Sequence, residues 1–153
     1  MNIKEEIQFI NTELEKYGLN GNPANLYDPI KYFLNIGGKR FRPLLTLIGS
    51  YLYSDNYRQH IKPALATEVF HNFTLVHDDI MDKAPLRRGK VTVHEKWNSN
   101  IAILSGDVMF VKAYELLVHT PPEKLTLVMQ LFNKCATEAV SYTHLTLPTK
   151  RIV

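Results

Sequence analysis

Apolar residues recur at steps of three and four along most of the chain, which is the spacing of one face of an α-helix. The first helix is predicted from Ile3, Ile7, Ile10 and Leu14, which are separated by charged and polar residues. The same reading predicts a short segment over residues 28–36 and helices over 41–53, 57–82, 98–118 and from 121 onward. No stretch shows the strict alternation of a β-strand, so we predict an all-α bundle of packed helices.

Glycine, proline and capping residues mark the boundaries between these helices. Gly37–Gly38 separates the short segment from the helix that follows it. Residues 83–89 are predicted to form a basic loop, because Ala84 precedes a proline and is biased away from helical geometry. Thr120 and Glu123 have the spacing of a capping box, which would open the last helix.

The most informative polar residues lie towards the end of the predicted 57–82 helix. At about 100° per residue, Asp78 and Asp82 flank His71 by about 20° on either side, and Asp79 lies at the margin of that face. Carboxylates one turn apart at a helix C-terminus destabilise the helix. A divalent cation is the simplest compensation, and oxygen ligands favour Mg²⁺ or Mn²⁺ over Zn²⁺. A solvated acidic helix end is the alternative interpretation.

Two basic clusters carry the opposite charge. Lys39 and Arg42 follow Gly37–Gly38 at a predicted helix N-terminus, where backbone N–H groups favour an anion. Arg87 and Arg88 come shortly after the aspartates, and adjacent arginines can hold phosphate oxygens through bidentate hydrogen bonds. Each cluster alone is also consistent with an ordinary basic loop. Together with the acidic stripe, the two clusters predict an anionic substrate that is bound partly through a metal.

The composition excludes several other classes of protein. The 153 residues are 45% hydrophobic and 22% charged, which argues against a disordered chain, a fibre or a disulfide scaffold. The single cysteine, Cys135, cannot form an internal disulfide, so we expect a reducing, cytoplasmic location. No apolar run is long enough for a transmembrane helix, and the start lacks the apolar stretch of a signal peptide. A net charge of +3 is too small to indicate a nucleic-acid partner.

Several motifs, taken in order, resemble those of the trans-isoprenyl diphosphate synthases, also called polyprenyl synthetases. The motifs are Gly37–Pro43, Glu68–His71, Leu75–Asp82, Leu86–Gly89 and Ser105–Asp107. The resemblance extends over residues 1–139. It implies an all-α bundle of the isoprenoid synthase type, in general a homodimer. It also implies head-to-tail condensation of isopentenyl diphosphate with an allylic diphosphate through a carbocation, assisted by Mg²⁺.

The resemblance further implies roles for individual residues. Asp78 and Asp82 would bind the Mg²⁺ that bridges the allylic diphosphate, and Asp79 would be nearby support. Arg87 would contact the allylic diphosphate. The catalytic residues would therefore be Asp78, Asp82 and Arg87. The diphosphate of isopentenyl diphosphate would be held by Lys39, Arg42, His71 and Arg88.

Product length depends, by the same resemblance, on the residues one turn before the first aspartate. Phe73 and Thr74 occupy these positions and would line the floor of the prenyl-chain pocket. The bulk of Phe73 would favour a short product, between C15 and C20. Ordinary core packing is an equally good interpretation of Phe73.

Two features indicate that the chain is an incomplete synthase. A second aspartate-rich motif and a further Lys-Thr site, both present in the family, are missing from the sequence, so we expect the chain to be inactive by itself. Residues 140–153 contain no acidic residue and resemble the translation of a transposon adapter from sequencing libraries. We predict that they are a non-native tail. Without Lys150 and Arg151 the net charge falls from +3 to +1.

Two alternative functions fit parts of the pattern. A non-catalytic subunit of a heteromeric prenyl synthase would be expected to lose acidic or basic site residues, whereas Asp78 and Asp82 are both present here. A terpene-cyclase relative also carries an aspartate-rich helix. It would not need a second diphosphate site, so the basic segment Lys39–Pro43 argues against it.

Overall fold

The computed structural model describes residues 1–17 and 21–145. Its helices are α1 (Ile3–Lys16), α2 (Ala24–Asn35), α3 (Phe41–Tyr51), α4 (Ile61–Met81), α5 (Val93–Lys96), α6 (Ser99–Leu117) and α7 (Pro122–Leu145). A 3-10 turn at Tyr57–His60 leads into α4, and the strands β1 (Leu86–Arg87) and β2 (Lys90–Val91) form a small hairpin. The described part of the chain is therefore mainly helical, and the predicted all-α class is confirmed.

The chain divides into two compact units, Met1–His119 and Thr120–Val153. In the first unit α4 is central, because it packs mainly against α6 and also contacts α1, α2, α3 and α5. The core between α4 and α6 includes the buried side chains Val69, Val76 and Met109. Burial of such side chains is the main favourable contribution to folding. It also fixes the C-terminal half of α4, which carries the acidic residues. The second unit contains α7.

The first helix illustrates how local sequence determines an element. The Asn2 side chain accepts a hydrogen bond from the Lys4 backbone N–H and caps α1. Ile10 and Leu14, two of the residues that predicted this helix, are buried, whereas Ile3 is 56% exposed. The predicted helix is therefore confirmed, with its apolar face towards the core from its second turn.

The segment after α4 differs from the predicted basic loop. Leu86 pairs with Val91 and Arg87 pairs with Lys90, which leaves Arg88 and Gly89 as a two-residue turn. Both turn residues have positive φ, +51° and +74°, as a type I′ hairpin turn requires. The prediction missed this hairpin, because two-residue strands are too short to show an alternating pattern. It also missed the four-residue helix α5.

The predicted capping box before α7 is wrong. The Thr120 hydroxyl has no hydrogen-bond partner among the described residues. The helix instead begins one residue later than predicted, with the Pro121 carbonyl accepting bonds from Lys124 and Leu125. Thr120 therefore lies outside the helix, and its hydroxyl does not bond to the N–H of Glu123. Pro122 occupies the first helical position, which proline favours.

The predicted boundary at residues 139 and 140 falls within α7, which continues to Leu145. The remainder of the predicted non-native tail, residues 146–153, lies outside the described residues. Among the helices that are described, none combines the length and the apolar character that crossing a membrane would require.

Candidate diphosphate site

The loop between α2 and α3 brings the first basic cluster to the surface of α4. Gly37 has φ +89° and Arg40 has φ +50°, so the chain turns sharply twice before α3 begins at Phe41. The Arg40 carbonyl accepts the hydrogen bond of the Leu44 N–H and thereby starts the helix. Left-handed backbone geometry is unusual for a residue with a side chain, so something must hold Arg40 in this conformation.

A cavity of about 460 Å³ lies between this loop, α4 and the hairpin turn. Its lining residues are Gly38, Lys39, Arg40, Phe41, Arg42, Glu68, His71 and Arg88. The structure thus brings together all four residues that the family resemblance assigns to the diphosphate of isopentenyl diphosphate. They come from three separate parts of the chain, and three of the four are cationic at neutral pH, which suits a polyanion.

Gly38 permits the close approach of the hairpin arginine. A Cβ atom at this position would lie 2.9 Å from Arg88 Nη1 and 3.4 Å from Arg40 Nη1. Any other residue would therefore displace the Arg88 guanidinium or the loop. The positive φ of Arg88 and Gly89 sets the direction of the hairpin turn. The loop and the hairpin, which line the cavity from two sides, therefore both depend on left-handed backbone geometry.

Arg40 lies at the base of the loop and is only 6% exposed. Its Nη1 donates to Glu68 Oε1 at 2.8 Å, in an ion pair whose side chains are both buried. Its Nη2 donates to the Leu34 carbonyl at 3.0 Å, and its Nε donates to Asn11 Oδ1 at 2.9 Å. Every nitrogen of this guanidinium is therefore engaged with the protein, which leaves Lys39 and Arg42 to face the cavity.

The cavity keeps His71 neutral. The pKa of this imidazole is lowered to about 4, with burial as the largest cause and the nearby charge of Arg42 as the second. Glu68 acts in the opposite direction, and Arg88 and Arg87 add to the lowering. At neutral pH the ring can donate one hydrogen bond to an oxyanion without adding a further positive charge to the arginines.

The aspartates of the predicted stripe separate into two environments. Asp79 is buried, and its carboxylate accepts bonds from Arg87 Nε at 2.9 and 2.8 Å and from Arg87 Nη2 at 2.7 Å. This hydrogen bonding raises the pKa of Arg87 above its ordinary value. Asp78 is half-buried and Asp82 is exposed at the C-cap of α4. Arg87 is therefore fixed beside two further carboxylates, which lie one turn apart on α4.

Asp78 and Asp82 supply carboxylate oxygens, which are donors of the type that a hard divalent cation takes. The described residues contain no group of three or more His, Cys, Asp or Glu side chains arranged to hold a metal ion. A dedicated zinc site with three or four protein ligands is therefore not present in this part of the chain. Mg²⁺ is commonly held by one or two carboxylates together with substrate phosphates, and this pair of carboxylates offers that donor set.

The predicted product-length residues face different surroundings. The Phe73 ring lies 5.1 Å from Phe110 and 5.5 Å from Phe70, between centroids, in an aromatic cluster of α4 and α6. Thr74 donates its hydroxyl to the His71 carbonyl within its own helix. Phe73 is half-buried. Its position is compatible with core packing and with the floor of a pocket, so both interpretations of this residue stay open.

The Ser105–Asp107 motif supports the packing of α6 against its neighbours. Ser105 donates its hydroxyl to the Leu26 carbonyl at 2.9 Å. A Cβ atom at Gly106 would overlap the ring of His77, so glycine is needed there for the two helices to approach. His77 therefore faces α6 and not the aspartate stripe.

The family model described as Polyprenyl synthetase matches residues 23–151. The chain belongs to the polyprenyl synthetase family. It is 41% identical over 125 residues to the geranylgeranyl pyrophosphate synthase of Geoglobus acetivorans, covering 80% of this chain and 39% of that protein. It is 41% identical over 118 residues to the geranylgeranyl diphosphate synthase of Methanosarcina mazei, covering 76% of this chain and 36% of that protein.

Solved structures show the same similarity. The geranylgeranyl pyrophosphate synthetase from Geoglobus acetivorans superimposes with a TM-score of 0.88 at 37% identity, over 92% of this chain and 47% of that one. The predicted isoprenoid synthase type of fold is therefore confirmed. This polyprenyl synthetase chain spans 39% and 36% of the length of the two curated relatives.

Two charged residues of this polyprenyl synthetase site escaped the sequence predictions. Arg40 stands in a run of basic residues, so composition alone cannot separate it from Lys39 and Arg42. Glu68 offers a clearer signal, because it precedes His71 by one helical turn in an otherwise apolar stretch of α4. A single carboxylate in such a stretch is rarely buried without a partner.

Proposed function

We propose that this chain forms the diphosphate-binding part of a trans-isoprenyl diphosphate synthase. Such an enzyme joins isopentenyl diphosphate head to tail to an allylic diphosphate. The observation that carries the proposal is the convergence of Lys39, Arg42, His71 and Arg88 on one cavity. A chain that only needed a stable bundle would gain nothing from gathering like charges, which repel one another when no anion is present.

The site would bind two diphosphates through two separate groups of residues. Lys39, Arg42 and Arg88 supply cationic donors to the diphosphate of isopentenyl diphosphate, and neutral His71 supplies one more hydrogen bond. Arg87, held by Asp79, donates to the allylic diphosphate. Two separated groups of donors match two diphosphate substrates, because each group is too small to neutralise both.

Asp78 and Asp82 would hold Mg²⁺, with Mn²⁺ as a substitute. When bound, the metal supplies positive charge that stabilises the diphosphate leaving group. Arg87 stabilises the same developing charge directly, and its fixed orientation means that little reorganisation is needed during the reaction. The allylic C–O bond breaks and its electrons leave with the diphosphate, which gives an allylic cation. The isopentenyl double bond forms the new C–C bond to that cation, and the product cation then loses a proton, which the departed diphosphate can accept. No protein nucleophile is required.

We also propose a C20 product for the whole synthase, at the upper end of the predicted range. Both curated relatives described above are named for geranylgeranyl diphosphate, a C20 compound. Phe73, which packs beside Phe110, would limit the length of the prenyl-chain pocket. We further propose that the whole synthase is a homodimer.

The proposal can be tested by titrating the chain with inorganic pyrophosphate in a calorimeter. Lys39→Ala should weaken binding by about tenfold, because one cationic donor to the anion is lost. Lys31→Ala is the matched control, since Lys31 is also exposed but lies on α2, where Asp28 is its nearest acid at 3.9 Å. Equal affinities for both variants and the parent chain would contradict the proposed site.

A further inference from the structure

One guanidinium connects the cavity loop to three helices. Arg40 contacts Asn11 of α1, the Leu34 carbonyl of α2 and Glu68 of α4, all within 3.0 Å, while its own carbonyl begins α3. A planar guanidinium can donate in several fixed directions at once, which lysine cannot do. This single side chain therefore connects the loop to α1, α2 and α4.

The backbone at this position argues against a merely local role. Arg40 adopts φ +50°, a conformation that glycine and asparagine adopt with far less strain. Glycine would satisfy the turn but would leave the buried Glu68 carboxylate without a partner. The arginine therefore supplies a charged partner for Glu68, which the turn itself does not require.

Glu68 gives a second reason for the arginine. Its carboxylate lines the same cavity as Lys39, Arg42 and Arg88, where an uncompensated negative charge would repel an incoming anion. The Arg40–Glu68 contact of 2.8 Å neutralises this carboxylate below the loop. The cationic side chains at the rim can then act on a ligand.

We propose that Arg40 is the positioning residue of the anion cavity: it fixes the loop that carries Lys39 and Arg42 and neutralises the Glu68 carboxylate beneath them. The inference rests on the proposed function only in so far as the anion is a diphosphate. Arg40 borders the cavity, but each nitrogen of its guanidinium is bound to protein, so it acts through its neighbours.

The test compares four variants in the full chain, with inorganic pyrophosphate as the probe. Arg40→Met should weaken binding by at least about tenfold, because both the loop and the charge balance are disturbed. Arg40→Met combined with Glu68→Met removes the whole pair, and such replacements commonly preserve folding. Its affinity should lie between those of the parent and the single variant, since the repulsion is relieved while the loop stays loose.

Arg58→Met is the matched control for loss of an ion pair. Arg58 Nη2 lies 2.6 Å from the buried carboxylate of Glu6, in a contact between the 3-10 turn and α1 that does not line the cavity. This variant should bind pyrophosphate within about twofold of the parent. Unchanged affinity in the double variant would overturn the inference, whether or not Arg40→Met alone folds.

Arg40→Lys separates charge from geometry. Lysine keeps a positive charge near Glu68 but cannot bind Asn11, Leu34 and Glu68 together. Pyrophosphate binding should therefore stay weaker than in the parent. Full recovery of the affinity in Arg40→Lys would overturn the positioning role.

A readout without ligand keeps this test independent of the proposed function. The pKa of His71, followed by NMR titration of its ring protons, should rise in Arg40→Met because Glu68 is then uncompensated. It should return towards the parent value in the double variant and stay unchanged in Arg58→Met. A parent chain that fails to bind pyrophosphate would refute the proposed function, whereas an unmoved His71 pKa in Arg40→Met would refute the role of Arg40.

Discussion

The Asp79 carboxylate binds the Arg87 guanidinium through both of its oxygens, at 2.9 and 2.8 Å from Nε. The middle aspartate of the acidic stripe therefore orients an arginine, while Asp78 and Asp82 lie one turn apart on α4. One short motif thus contains carboxylates in two different environments. Their difference comes from burial, since Asp79 is 1% exposed and Asp82 lies at the surface.

Asp79→Asn should lower the free energy of unfolding by about 2 kcal/mol, because the half-buried Arg87 guanidinium loses its charge-assisted hydrogen bonds to a buried carboxylate. Asp82→Asn, the matched change at an exposed position, should be neutral or stabilising by a few tenths of a kcal/mol, because it relieves like-charge repulsion at a helix C-terminus. Urea denaturation of both variants measures the difference. Similar losses in the two would show that the stripe is not divided in this way.

The Gly38→Ala variant should weaken pyrophosphate binding by about fivefold or more, because a methyl group 2.9 Å from Arg88 Nη1 must displace that guanidinium. Gly49→Ala is the control, since no atom of another residue lies near its added methyl group. Gly49 is within α3, so the change should stabilise the chain by about 0.5–1 kcal/mol and leave binding unaltered. Calorimetry and thermal denaturation test both expectations.

The stability of the chain should decrease as the pH falls from 6.5 to about 4 because of His71. The folded-state pKa lies below the ordinary value of 6.5, so in this window the unfolded chain binds a proton that the folded chain excludes. The slope from this one group approaches about 1.4 kcal/mol per pH unit.

His71→Gln should flatten this pH dependence, because it removes the side chain whose pKa differs between the folded and the unfolded chain. Urea denaturation at several pH values between those limits provides the comparison. Parallel curves for the parent and the His71 variant would mean that the folded and unfolded chains bind the His71 proton equally, which would contradict the lowered pKa. A bound pyrophosphate should raise the pKa of His71, since an anion favours the imidazolium.

The 153-residue chain should show no turnover in an Mg²⁺-dependent assay with isopentenyl and allylic diphosphates. Its sequence has one aspartate-rich motif, so it offers only part of the charge that would stabilise the departing diphosphate. Binding of pyrophosphate should nevertheless be measurable, because the cavity side chains are all present. Detectable product from the purified chain would contradict the expected inactivity.

Helical periodicity was enough to predict most elements and one part of the site. Because α4 is a regular helix over Ile61–Met81, spacing alone aligned Asp78 with His71 on the same stripe. The same rule placed Ile10 and Leu14 on the buried face of α1. Elements of two to four residues escaped it, because a hairpin or a single helical turn is shorter than the window in which a period becomes visible.

The amino-acid sequence by itself determined the helices, the order of the motifs and the kinds of charge that the site contains. Only the tertiary structure decided which charges pair with one another. Arg40 and Glu68 stand 28 positions apart, and Arg87 could have approached any of three aspartates. Pairing depends on distance and burial after the helices have packed, and a buried carboxylate must find a partner that an exposed one does not need.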